Sequence, residues 1–172
     1  RRNQRKIKYG SGFRFTARAE FAHAEIGHAG QHPGAKTNQA ADQLIGMNPP
    51  PKLAAFAWQK SARVCKDEGN LDEMIRRYQT LCEKIPSLEP EVLANANYWI
   101  GWGHFKSERL KECLPWLRKA READAKTYGN QAGLVLILAL FSLQDIDSLA
   151  AEIQLAIDGG YVDQVPGQAL RW

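Results

Sequence analysis

Four kinds of side chain in this sequence have chemistry beyond packing: histidines, cysteines, a cluster of aromatic rings, and a run of arginines and lysines. His23, His28 and His32, with Glu25 among them, are of metal-ligating types. Five positions apart, His23 and His28 fall about 140° from one another around a helix. His32 precedes Pro33 in a turn-like context, and no HExxH pattern occurs, so no metal site is expected. Cys65, Cys82 and Cys113 are odd in number and far apart. That pattern argues against a disulfide framework or a structural zinc, and it fits a reducing, intracellular setting, the cytoplasm or an organelle interior. No glycine-rich phosphate loop follows a strand, and no Ser/His/Asp or Cys/His arrangement stands out. The expectation is a protein without a catalytic centre or cofactor.

The aromatic cluster is more informative. "NYWIGWGHFKSER", residues 97 to 109, brings Tyr98, Trp99, Trp102 and Phe105 together around Gly101 and Gly103. On a helix, Tyr98, Trp102 and Phe105 fall within about 60° of each other. The stripe is open to two readings, a surface offered to a partner or packing against a neighbouring helix. Trp58, Trp99 and Trp116 are assigned to packing.

The charge is unevenly placed. The chain has 172 residues and a net charge of +4, yet Arg1, Arg2, Arg5, Lys6, Lys8, Arg14 and Arg18 all precede the first acid, Glu20. The basic character belongs to an N-terminal arm, residues 1–15 and just beyond. Such an arm can neutralise phosphates, lie on an anionic surface, meet an acidic partner, or remain from a targeting region. Tyr9, Phe13 and Phe15 alternate with it, which suits base stacking or anchoring on a first helix.

The elements that position these residues follow from the punctuation. "NPPPK" (48–52), "KIPSLEPE" (84–91) and "TYGNQAG" (127–133) mark major breaks, and "DEGNLDE" (67–73), "FKSERLKE" (105–112) and "LQDIDSLAAE" (143–152) mark lesser ones. The pattern is helix, tight turn, helix, repeated. Asn70 is expected to cap one helix with Glu73 in capping-box position, Gly69 to end the helix before it, Pro51 and Pro90 to open helices, and Asp147 or Ser148 to cap the last. A common offset of 39 residues relates Leu71, Leu110 and Leu149, as it relates Ala55 to Ala94, Ala62 to Gly101 and Met74 to Cys113.

On these residues the segment 54–128 resembles tandem tetratricopeptide repeats. "Ile100-Gly101" matches that family's Leu-Gly pair. Leu110, Cys113, Leu117 and Ala120 match its second-helix positions, and Trp58, Ala62, Gly69, Tyr78 and Pro86 match positions of the preceding unit. The sequence departs from the pattern in its long spacing, against the usual 34. It also departs at His104, where a tyrosine is typical, and at Asn97, where a tryptophan is.

The resemblance implies an all-α, right-handed superhelix of stacked helix-turn-helix hairpins. Its parts are a degenerate first repeat over 16–47, hairpins over 51–89, 90–128 and 130–158, and a capping tail over 159–172. It also implies a non-enzymatic scaffold or adaptor that holds a protein or peptide in a concave groove lined by the first helix of each unit. The groove residues would be Gln59, Arg63, Lys66, Tyr98, Trp102, Phe105, Lys106, Ile137 and Phe141. Arg63 and Gln59 stand where the chaperone-binding subclass has asparagine and lysine, so its carboxylate clamp is not expected. The alternative is a subunit of a nucleic-acid-containing complex that works through its arm.

"GLVLILALFSL", 133 to 143, is too short to span a bilayer, which takes roughly 20 residues, and being apolar all round it must be covered on every side. Either the tail, through Tyr161, Val162, Val165, Leu170 and Trp172, or a second chain covers its third side.

Overall fold

The computed structural model describes residues 34 to 167, 169 and 170, and among them every regular element is helical. The helices are α1 (Gly34–Gly46), α2 (Pro51–Asp67), α3 (Leu71–Lys84), α4 (Pro90–Lys106), α5 (Leu110–Ala123), α6 (Ala125–Leu143) and α7 (Ile146–Asp158), followed by a 3-10 turn, Val162–Gln164. The basic arm residues, His23, His28 and His32, most of the expected first repeat, and Trp172 lie outside the described residues. No described helix is long and apolar enough to cross a membrane.

The chain divides into two compact units, the first ending at Ser61 and the second beginning at Ala62, inside α2. In the first, Ala41, Leu44 and Ala57 are buried together, edged by Leu53, Phe56, Ile45 and Met47. The Ser61 hydroxyl donates to Asn38 Oδ1 at 3.1 Å, tying α2 to α1.

In the second unit, local chemistry sets the starts of α3, α4, α6 and α7. Asn70 accepts from the backbone N–H of Glu73 at 3.2 Å and starts α3, while Gly69, at φ +76°, supplies the left-handed turn before it. The Glu73 carboxylate does not close a capping box. It bonds Arg76 and Arg77 instead, and these guanidiniums hold its carboxyl below the usual range. Pro90 occupies the first position of α4, where a missing N–H costs nothing. Asp124 accepts from Thr127 N–H at 3.1 Å to start α6. Asp145, rather than Asp147 or Ser148, caps α7 by accepting from Ser148 N–H at 3.2 Å.

Helices α3 to α7 each touch the next, and α4 also touches α6. Met74, Ile75, Tyr78 and Leu81 form the buried stripe of α3, and Cys113, Leu117 and Ala120 that of α5, both at helical spacing. α4 is buried along one broad side, Ala94, Ala96, Asn97, Ile100, Gly101, Gly103 and His104, and its glycines explain how its neighbours come so close there. A Cβ at Gly101 would lie 2.7 Å from Leu117 Cγ and 3.1 Å from the Leu117 backbone nitrogen; one at Gly103 would lie 2.6 Å from Met74 Cε. Each glycine thus marks a close crossing, with α5 at Gly101 and with α3 at Gly103. Gly101→Ala is expected to cost about 1–2 kcal/mol of stability, because overpacking against backbone exceeds the roughly 1 kcal/mol gained in helix propensity. Gly103→Ala meets the flexible end of Met74 first and should cost less. Urea unfolding of the two variants ranks them.

Two expected boundaries move. "TYGNQAG" is not a break but lies inside α6, and the chain turns instead at the single residue Asp124. The third hairpin is therefore Ala125–Asp158, not 130–158. Its register also shifts: Met74 and Cys113 are the buried fourth residues of α3 and α5, and the fourth residue of α7 is Leu149. Leu149 thus corresponds to Cys113, at a shorter spacing, and Ile146 rather than Leu149 corresponds to Leu110.

The apolar run in α6 is covered from within the chain. Ile137 and Leu140 are buried with Leu149 and Ala156 of α7 and with Tyr161, Val165 and Ala169 of the tail. Of the two covers expected for residues 134–143, the tail is the one seen, through Tyr161, Val165 and Ala169.

Candidate functional site

The side of α4 left free by α3 and α5 can be located from the helix period. Ile100, His104 and Asn97 are buried on one side. At 100° per residue the opposite side carries Asn95, Trp99, Trp102 and Lys106, all within about 60°. Trp99 and Trp102 are half-buried and meet edge to face, their ring centroids 5.4 Å apart. Tyr98 meets Trp99 at 5.2 Å and Tyr128 of α6 at 5.6 Å. The Asn95 side-chain amide donates to the Tyr128 hydroxyl at 2.6 Å and fixes that ring. The result is a continuous row of four rings, Tyr128, Tyr98, Trp99 and Trp102.

Cations edge the row. The Lys66 ammonium lies 4.6 Å from the Trp99 ring centroid and 3.2 Å from the Asp67 carboxylate. Lys106 lies 5.8 Å from the Trp102 ring. Each contact is worth about 0.5–1 kcal/mol at such exposure, enough to favour one position of a flexible lysine. The surface thus offers apolar ring area with positive charge at fixed places beside it. Burial pushes the Tyr98 hydroxyl up, with Tyr128 adding to the effect, so this phenol stays neutral.

Of the expected groove residues, Lys66, Tyr98, Trp102 and Lys106 meet here. Arg63 is exposed on α2 near its C-terminal end. Phe105 packs, half-buried, against the cluster of Cys113, Leu117, Leu136 and Ala139, and one side of Tyr98 and Trp102 does the same. Ile137 is fully buried and leaves the surface, while Phe141 packs against the α6, α7 and tail cluster. Gln59 belongs to the first unit. Trp99, assigned to packing from sequence, stands in the middle of the row, and Tyr128, within the stretch read as a break, was missed. The spacing of Asn95, Trp99, Trp102 and Lys106, four, three and four, carried that signal.

The remaining reactive groups are quiet. His104 is buried, with Nδ1 3.2 Å from the Glu112 carboxylate. Burial, then the Arg109 guanidinium, holds its pKa below the ordinary 6.5. Burial pushes the Cys82 thiol up and that of Cys113 to about 11, so neither is a ready thiolate at neutral pH. Among the described residues no group of three or more metal-ligating side chains converges. Comparison with protein-family models and with curated protein sequences finds no match to this chain.

Proposed function

We propose that this chain is a non-enzymatic adaptor, built of tetratricopeptide-like hairpins, that holds a protein or peptide partner on the outer face of α4. The observation that carries this reading is the ring row Tyr128, Tyr98, Trp99 and Trp102, half-open and edged by Lys66 and Lys106. Rings of this kind supply large contact area at low entropic cost, and the flanking cations select the sign of what approaches. The partner segment is apolar, with acidic residues beside its anchors.

Selection of a displayed random-peptide library on the full chain tests this. Apolar and acidic sequences should be enriched, and Trp99→Ala should weaken them at least 30-fold, the size of a binding hot spot. Lys66→Glu with Lys106→Glu should reverse the charge preference without touching the core. Enriched peptides indifferent to all three changes would place binding elsewhere. The nucleic-acid reading rests on the charge of the first 19 residues. It requires oligonucleotide binding that falls steeply with salt and vanishes when residues 1–18 are deleted.

A further inference from the structure

On the side of α4 opposite the ring row, a cleft of about 660 Å³ opens between α3 and α5. That volume lies within the range of roughly 300–1,000 Å³ for ligand sites. Its floor is Leu93 and Asn97 of α4, one wall is Trp116 of α5, and Glu83, Lys119 and Glu122 stand around it, all three exposed.

Asn97 is the unusual member. It is only 4% exposed and lines the cleft, yet among the described residues no hydrogen bond reaches its carboxamide. Its amide is not one of the fully enclosed polar atoms, so its unused donors and acceptor face the cleft, where a bound group can meet them. It also occupies the position where the repeat resemblance expects a tryptophan. A ring there would fill the space that the smaller amide leaves open.

We infer that this cleft binds an extended, basic peptide segment through the segment's main chain. A carboxamide offers an acceptor oxygen and two N–H donors. It can therefore accept from the N–H and donate to the C=O of a single residue, which point to the same side of an extended strand. Trp116 and Leu93 provide an apolar wall for the aliphatic stem of a lysine or arginine. Lys119 is held 4.8 Å over the Trp116 ring and keeps its charge, so with Glu83 and Glu122 the three charged residues lining the cleft sum to −1. A nucleoside phosphate would also stack on Trp116 and pair with Asn97, but its phosphates would meet that acidic excess. This site is separate from the ring row and selects the opposite charge, so α4 can hold two different segments on its two sides.

The test uses the ¹⁵N-labelled full chain and the capped tetrapeptide acetyl-Leu-Lys-Leu-Lys-amide as probe. Saturable shifts of the Asn97 side-chain amide and Trp116 indole signals are expected. Binding should weaken at least ten-fold for the Leu-Glu-Leu-Glu counterpart and for a peptide N-methylated at its central residues. Asn97→Leu, close in size and without the amide, should lose at least ten-fold in peptide affinity with Tm within a few degrees of the parent. Trp99→Ala should bind the probe as the parent does. A clear fall in Tm for Asn97→Leu, equal binding of the acidic peptide, or no shift at millimolar probe would each overturn the inference. So would movement of the two signals by adenosine but not by peptide.

Discussion

Arg121→Ala is expected to lower the free energy of unfolding by about 3–5 kcal/mol, the cost of leaving a buried charge without its partner. Arg121 of α5 reaches Glu152 of α7 with both terminal nitrogens, at 2.6 and 3.2 Å. The two sides of the pair are not equivalent. The Glu152 side chain is 6% exposed and that of Arg121 26%. Removing the arginine strands a carboxylate in the interior, whereas removing the glutamate leaves a guanidinium that water already reaches. Glu152→Ala should therefore cost less, about 2–3 kcal/mol. A double replacement by leucine at 152 and methionine at 121 should recover most of the loss, since an apolar pair of similar volume carries no desolvation penalty. Denaturant unfolding of the four proteins measures all of these, and an Arg121→Ala loss below that of Glu152→Ala would contradict the assignment of which charge is buried.

Tyr161→Ala is expected to cost about 3–5 kcal/mol, the range for deleting a large buried aromatic ring. Tyr161 is the residue that seats the tail. Its ring occupies the space that a side chain would take at Gly133 of α6 and at Gly159, just beyond α7, and it packs with Ile137, Leu140 and Val165. Without it the apolar side of α6 is uncovered, so limited proteolysis should cut the tail faster in addition to the fall in stability. Tyr161→Phe keeps the ring and should stay within about 1 kcal/mol of the parent. Because Tyr161 also lies near the Arg121–Glu152 pair, the effects of Tyr161→Ala and Arg121→Ala should not add.

These residues show where the sequence was legible. Turns made by glycine, proline or a capping asparagine were placed well: Gly69 and Asn70 before α3, Pro51 and Pro90 opening α2 and α4. Glycine misled where it served contact rather than conformation. Gly129 and Gly133 read as a turn but lie within α6, where Gly133 makes room for a ring that arrives from 28 residues further on. No local pattern announces such a contact. The true break at Asp124 consists of one residue with neither glycine nor proline, and Glu108 and Gln144 adopt positive φ without being the types that favour it.

The candidate site was half legible for a related reason. The aromatic types marked α4, but the stripe of Tyr98, Trp102 and Phe105 was centred about 60° from the open side, because only the packing of α6 shows which flank is taken. Trp99 appeared to belong to the core until its neighbours were known. Asn97, noted only as a departure from the repeat pattern, lies on the floor of the cleft between α3 and α5.

The one-residue joint at Asp124 has a mechanical meaning. Five residues, 85 to 89, separate α3 from α4, but α5 passes into α6 through Asp124 alone, whose side chain is engaged with Thr127. A joint so short has almost no torsional freedom to absorb bending. Bending between neighbouring helices is therefore more easily accommodated in the five-residue linker 85–89 than at Asp124, where the chain has a single residue with which to do it.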